Sequence, residues 1–230
     1  MSGTTLQPIS ARRGRPSRLS RELILGEALI VLTDTPLSEF SLSLVAKRVS
    51  ATVMSLYTYF PSRDALLLAL ADDVFRRFER PATAAHWRDD IEGWLWASVH
   101  HIDRYPVALK LSMWDGHISP GWLRTWLPIA ALMRAQGLEG RALAFALSWF
   151  TTAAMGFITA QMASPANRQR SAIAYIEDLP QSDQRLAAEL WLDLGELHRD
   201  DMLAYGFSNI LDGLEALVVG KTLPSADATR

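Results

Sequence analysis

The sequence predicts an all-α protein, a small N-terminal helical domain followed by a larger helical one. Three observations carry this. Apolar residues recur at three- and four-residue spacing along most of the chain, no run alternates with a period of two, and proline or glycine closes one periodic segment after another. The 230 residues are 49% hydrophobic, enough to bury a core in each domain, and the 21% of charged residues is far from a disordered composition. With no cysteine, disulfides, zinc ribbons and thiol catalysis are excluded. No apolar run precedes Leu23, so no signal peptide is expected, and a cytoplasmic location is.

Residues 1–17 mix Gly, Pro, Ser, Thr and Arg without periodicity and read as a flexible basic arm. Ser20 is an N-cap for a first helix that carries Ile24, Ala28 and Val31 on one stripe, with Leu25, Leu29 and Leu32 beside it. Pro36 ends that helix near Thr33, because a proline pushes the residue before it out of helical geometry. Short helices fit 42–49 and 53–59, the second stopped by Pro61. Ser62 opens a longer helix to about Glu79, ahead of Pro81. Further helices are expected over 88–104, 107–115, 121–136 (with a kink or break at Pro128), 139–163, 183–198 and 201–219. Residues 164–182 read as a loop with a helical turn near 172–176, and 221–230 as a tail. The apolar 139–163 segment is interrupted by Ser, Thr and Gln and reads as a buried or dimerising helix rather than a membrane span.

The net charge of −2 conceals an asymmetry. Residues 1–63 hold eight basic against four acidic side chains, a balance of +4, which leaves −6 on the remainder. A basic head on an acidic body points to a polyanionic partner for the head alone.

Within that head, residues 41–60 predict two short helices joined by a tight turn, a helix-turn-helix. Leu42, Val45, Ala46 and Val49 form the inner face of the first helix; Val53, Leu56 and Phe60 form that of the second. Thr52 caps the second helix and leaves its N–H groups facing a phosphate. Val53, Met54, Ser55, Thr58 and Tyr59 form a face suited to the major groove, where hydroxyls meet any base and apolar groups meet the thymine methyl. Ser43, Lys47 and Arg63 lie at its margins, the two cations suited to phosphates. In the arm, Arg15 with Arg12, Arg13 and Arg18 suits minor-groove or backbone contact.

Residues 18–66 resemble the DNA-binding domain of the TetR family of regulators. The resemblance rests on Gly14-Arg15-Pro16, on Ala46 with Leu56-Tyr57, and on Tyr59-Phe60-Pro61-Ser62-Arg63-Asp64-Ala65-Leu66. It implies that Tyr57, Tyr59 and Arg63 contact the DNA backbone and that residues 52–58 read bases. Two departures stand out. Ser50 occupies the turn position where the family usually has glycine, which predicts a strained turn, and Pro36 replaces a glycine after the first helix. The expected domains are 18–79 for DNA binding and 80–220 for regulation and dimerisation, joined by the helix 62–79.

The second half resembles the TetR-type regulatory domain through Arg104-Tyr105-Pro106, Leu132–Leu138 and Tyr205-Gly206-Phe207. Independently, Leu143, Leu147, Phe150, Ala154 and Phe157 on one helix, and Leu203, Phe207, Ile210, Leu214 and Leu217 on another, recur at coiled-coil spacing. Either stripe alone fits a monomer core; together they predict a four-helix homodimer interface. Trp94, Trp114, Trp126 and Trp149, with His101, Tyr105, Met113, His117 and Met133, form a candidate pocket for a flat hydrophobic effector, against the alternative of a bulky core. His100 and His101 are adjacent and so diverge around a helix; no metal or cofactor is expected. Without a phosphate loop or paired carboxylates, an enzyme is not expected. The reading is a dimeric, ligand-responsive repressor of operator DNA, in which the linker helix carries the signal. The alternative is a DNA-binding regulator controlled by a protein partner.

Overall fold

The computed structural model describes residues 19–112, 114, 118–162 and 175–220. Among these residues every regular element is helical. They divide into two compact units, one up to Leu66 and one from Leu67 on, with the division inside a helix.

In the first unit, α1 spans Arg21–Asp34. Ser20 starts it by accepting the Leu23 N–H at 3.1 Å, and Thr35 turns extended ahead of Pro36, as the proline requires. Ile24, Ala28 and Leu32, four residues apart, are its buried stripe. α2 spans Leu42–Arg48 and is capped by Ser41; it buries Leu42, Val45 and Ala46 and packs against both α1 and α3. α3 is only Val53–Tyr57, with a further turn closed by Tyr59 and Phe60 N–H groups on the Leu56 carbonyl, both at 2.9 Å. Between α2 and α3, Ser50 adopts φ +53°, and the Ala51 N–H closes onto the Ala46 carbonyl at 3.0 Å. The turn therefore takes the left-handed conformation expected at the glycine position, with a serine in it.

α4, Arg63–Arg76, contributes residues up to Leu66 to the first unit and the rest to the second. In the second unit, α5 spans Trp87–Arg104, α6 Val107–Ser112, α7 Pro120–Ala135 and α8 Gly140–Met162. A short 3-10 turn at Ile176–Asp178 precedes α9, Gln181–Glu196, and α10, Arg199–Gly220. Pro128 lies inside α7 without breaking it. One residue past the Arg124 carbonyl that Pro128 leaves without its helical donor, the Thr125 carbonyl accepts the Trp94 indole N–H at 2.9 Å, which ties α7 to α5.

The spine of this unit is α8 against α10. Phe150, Ala154 and Ile158 on one and Leu203, Phe207 and Leu214 on the other are fully buried. Gly206 lies so close to the Phe157 ring that no side chain fits there. α5 runs antiparallel along α10: Arg88 pairs with Asp212 and Glu215 at one end, and Arg199 with Asp103 at the other. Between them Trp96 meets the Phe207 ring edge-on at 5.2 Å. α8 and α10 are long and apolar enough to cross a membrane by length and composition, yet each lays its buried stripe on the other.

The coiled-coil stripes are thus corrected. Phe150, Ala154, Leu203, Phe207, Ile210 and Leu214 are buried within a single chain, so a partner cannot reach them. Leu143, Leu147, Phe157 and Leu217 are half-buried. Spacing identifies a packed stripe but not whether the opposing helix belongs to the same chain.

The Ser50 turn yields a stability prediction. A left-handed residue with a side chain costs about 1 kcal/mol or more, partly offset by the extra unfolded-state entropy of glycine. Ser50→Gly is expected to stabilise the first unit by about 0.5 kcal/mol, read as a higher urea midpoint at unchanged slope. A lower midpoint would mean that the serine side chain itself supports the turn.

Candidate DNA interface and effector cavities

α3 is held by contacts at both its ends. At its start Thr52 accepts the Ser55 N–H at 3.2 Å, and the two hydroxyls lie 2.9 Å apart. At its end the Tyr59 hydroxyl donates to the Leu19 carbonyl at 2.8 Å, while Arg21 donates to the Tyr59 carbonyl at 3.2 Å and lies over the Phe60 ring at 4.4 Å. Leu56 is fully buried beneath. What α3 leaves outside is Met54, 74% exposed, Tyr57, 45% exposed, and the Thr58 side chain, whose hydroxyl donates to the Ser55 carbonyl at 2.7 Å. Val53 and Ser55 are half-buried; Ser43 and Lys47 are exposed on α2. This outer face of α3 has no ionisable group other than the Tyr57 phenol.

Two residues expected at the DNA backbone have work inside the domain. Arg63 donates from Nε to the Phe40 carbonyl at 2.9 Å and from Nη2 to that of Leu37, fastening the 35–41 connection to the start of α4. Tyr59 spends its O–H on Leu19. Both therefore brace the motif from within. Arg15 lies outside the described residues. Arg21, which the sequence reading did not single out, joins α1 to the end of α3; the only sequence signal for it is a cation early in α1.

In the second unit Trp94, Trp122 and Trp126 pack against one another with their rings tilted. Trp94 and Trp126 have ring centroids 4.4 Å apart, Trp122 and Trp126 5.3 Å, and Phe150 packs near Trp94 at 6.0 Å. Trp94, His101 and Trp126 line one cavity with Phe75, Phe78, Trp122 and Met155, but it holds only about 30 Å³. That is room for a water, so the aromatic cluster is mostly core. The other expected lining residues separate. Met133 and Trp114 are buried, the Tyr105 ring lies tilted against His101 at 5.2 Å, and Trp149 is exposed on α8, packed over Gly213. Met113 and His117 lie outside the described residues. Phe75, Phe78 and Met155 were missed because their helices were read for other roles.

Larger spaces flank the cluster. One of about 440 Å³ opens beside α5 and is lined by Arg77, Trp96, His100 and His101 among others; one of about 650 Å³ lies between α5 and α7. His101 forms a wall of both the small aromatic cavity and the 440 Å³ one. It is 7% exposed, with Phe75, Phe78 and Tyr105 around its ring, and its Nε2 has no hydrogen-bond partner.

Burial pushes the His101 pKa below the usual imidazole value; the nearby Glu79 opposes this and Arg104 adds to it. The folded protein then binds fewer protons at this site than the unfolded chain. Stability is therefore lost as pH falls below about 6.5, with a limiting slope of about 1.4 kcal/mol per pH unit for one proton. His101→Phe is expected to flatten the fall in urea midpoint between pH 7 and 5. An equally steep fall in that variant would assign the loss to other groups.

The family model described as bacterial regulatory proteins of the tetR family matches residues 24–70, from α1 into α4. The HTH-type transcriptional repressor DrrR1 of Streptomyces coeruleorubidus is 25% identical over 226 residues, 93% of this chain and 84% of that protein. The HTH-type transcriptional regulator EthR of Mycobacterium tuberculosis is 43% identical over 68 residues, 29% of this chain and 32% of its own. Among solved structures, apo ActR from Streptomyces coelicolor superposes with a TM-score of 0.72 at 19% identity, covering 90% of this chain and 99% of ActR. ActR in complex with actinorhodin gives 0.70 at 19% identity, over 87% and 97%. At that identity ActR establishes the fold. The helix-turn-helix geometry and the match over 24–70 converge: residues 24–70 are a DNA-binding domain of the tetR family of bacterial regulatory proteins, in a chain that resembles a repressor over nearly its full length.

Proposed function

We propose that the protein is a dimeric repressor that holds operator DNA through α2 and α3 and lets go when a small, largely apolar molecule occupies the second unit. The observation that carries the DNA half is the outer face of α3: Met54 and Tyr57 stay exposed on a helix whose other side is buried and whose ends are both tied down. Large apolar groups held outward at such a rigid site are suited to base edges and the sugar-phosphate backbone. Met54 with Val53, Ser55 and Thr58 would read bases; Tyr57, Thr52, Ser43 and Lys47 would contact the backbone, with the arm around Arg15 adding sequence-independent attraction.

Effector release is supported by the cavities of about 440 and 650 Å³ and by the small molecule bound to ActR in a structure of the same fold. α4 supplies residues to both units without interruption, so a displacement of its second half is passed on through its own backbone. A pair of chains places two α3 helices on successive half-sites, about one helical turn of DNA apart. For the dimer surface we assign the outward stripe of α8 and α10, where Phe145, Trp149, Tyr205 and Val219 are exposed, in place of the buried stripe. Such a regulator works in the cytoplasm and is not an enzyme.

One observation favours a second reading. α9 buries none of its residues and exposes Leu186, Leu190, Leu192 and Leu194, a surface on which a regulating protein could dock. Capture of genomic fragments followed by gel retardation, with and without a small-molecule library, separates the two. Release by a compound supports the effector reading, whereas release only by a protein supports the second. For the interface itself, Tyr57→Ala is expected to weaken operator binding at least tenfold, about 1.4 kcal/mol, at unchanged helicity and oligomeric state. Loss of folding in that variant would make Tyr57 a structural residue instead.

A further inference from the structure

The 650 Å³ groove between α5 and α7 has an apolar floor that includes Trp94, Leu127, Pro128 and Leu132, and three charged side chains on its walls. Asp90 is already engaged: its Oδ1 accepts the Ala84 N–H at 2.7 Å. Arg80 forms no ion pair or hydrogen bond among the described residues. Arg124 reaches the other way, with Nη2 2.8 Å from Oδ1 of Asp72 on α4. One turn earlier on α7, Gly121 is pressed on the same residue; a Cβ there would lie 2.8 Å from the Asp72 carbonyl oxygen. The wall of the groove and the second half of α4 therefore touch at one point, and the cation at that point also lines the groove.

Resting on the small-molecule reading above, we propose that this groove is the effector site and that its ligand is a flat apolar acid, an aromatic carboxylate or a similar amphiphilic anion, which takes Arg124 from Asp72. The charges favour this chemistry. Two guanidinium groups face one carboxylate that is already hydrogen-bonded, so a neutral body with a single negative end leaves the site balanced. A guanidinium grips a carboxylate through two parallel hydrogen bonds, whereas the Asp72 contact involves a single nitrogen. The Arg124–Asp72 pair also reaches solvent, with the Arg124 side chain 55% and that of Asp72 33% exposed, where an ion pair is weak and easily exchanged. Asp72 is then an internal competitor: its carboxylate occupies the cation until the ligand's carboxylate arrives. Exchange leaves α4 pressed on Gly121 without its ion pair, which is the change passed along that helix.

The test compares 2-naphthoate with its uncharged isostere 2-naphthamide by titration calorimetry on the full chain, together with gel retardation of the operator. Naphthoate is expected to bind at least tenfold more tightly than the amide. Arg124→Gln should abolish that preference, and Asp72→Asn should raise naphthoate affinity several-fold, because the competitor is gone. Arg124 is exposed and Asp72 is half-buried, so a thermal melt of each variant accompanies the titration to check that it folds. A merely structural ion pair predicts the opposite for Asp72→Asn, a weaker or unchanged affinity. Equal affinity of acid and amide, no naphthoate binding at millimolar concentration, or persistence of the preference in Arg124→Gln overturns the proposal. The two readings fail separately. If the amide releases the operator and the acid does not, the ligand class is wrong and effector control stands. If naphthoate binds through Arg124 while the operator stays bound, the site stands and effector release is wrong.

Discussion

Burial of Leu56 is the interaction on which the DNA-binding unit turns. A helix of five residues has no independent stability in water, since too few hydrogen bonds repay the ordering of its first turn. α3 persists because Leu56 is sealed beneath it, because Thr52 satisfies its first N–H groups, and because Tyr59 and Arg21 lock the chain that leaves it. Ser50 sets the direction of approach by accepting a left-handed conformation two residues past the end of α2. With its inner face and both ends committed, α3 has only Met54, Tyr57 and Thr58 left to present outward. Rigidity at this scale is what a sequence-reading surface needs, because a misplaced helix loses its base contacts together.

The second unit solves a different problem. Its aromatic rings fill most of the space that they surround, and the Trp94 indole N–H ties α5 to the Thr125 carbonyl of α7. Volume for a ligand lies beside this cluster rather than within it. Trp94 of α5 with Trp122 and Trp126 of α7 then form a stiff wall, and the solvent-reaching Arg124–Asp72 pair is a weaker contact at its edge.

Much of this was legible in the sequence for local reasons. Ser20, Ser41 and Thr52 cap where the pattern placed them, Pro36 ends α1, and Ser50 has the strained geometry that a side chain at a glycine position implies. Each of these depends on one residue and its immediate neighbours. The bracing roles of Arg63 and Tyr59 were not legible because their partners are the backbone carbonyls of Leu37, Phe40 and Leu19, and a carbonyl carries no residue identity that a sequence could reveal. The stripe from Leu203 to Leu217 was misread for a related reason. Periodicity reports that a face is buried, and the covering helix, α8 of the same chain, follows only from the tertiary arrangement. The tryptophans likewise announce a large apolar volume without saying whether rings or a ligand fill it.

The central claim is that an uncharged α3 face, led by Met54, chooses the operator sequence while cations elsewhere supply affinity. Its most direct measurement begins with an operator selected from random DNA, resynthesised with deoxyuridine replacing thymidine one position at a time. The account predicts that one or two substitutions per half-site lower affinity several-fold by removing a methyl group from an apolar contact, and that Met54→Ser no longer distinguishes those positions. Full tolerance of uracil at every position, with affinity undiminished, would contradict it.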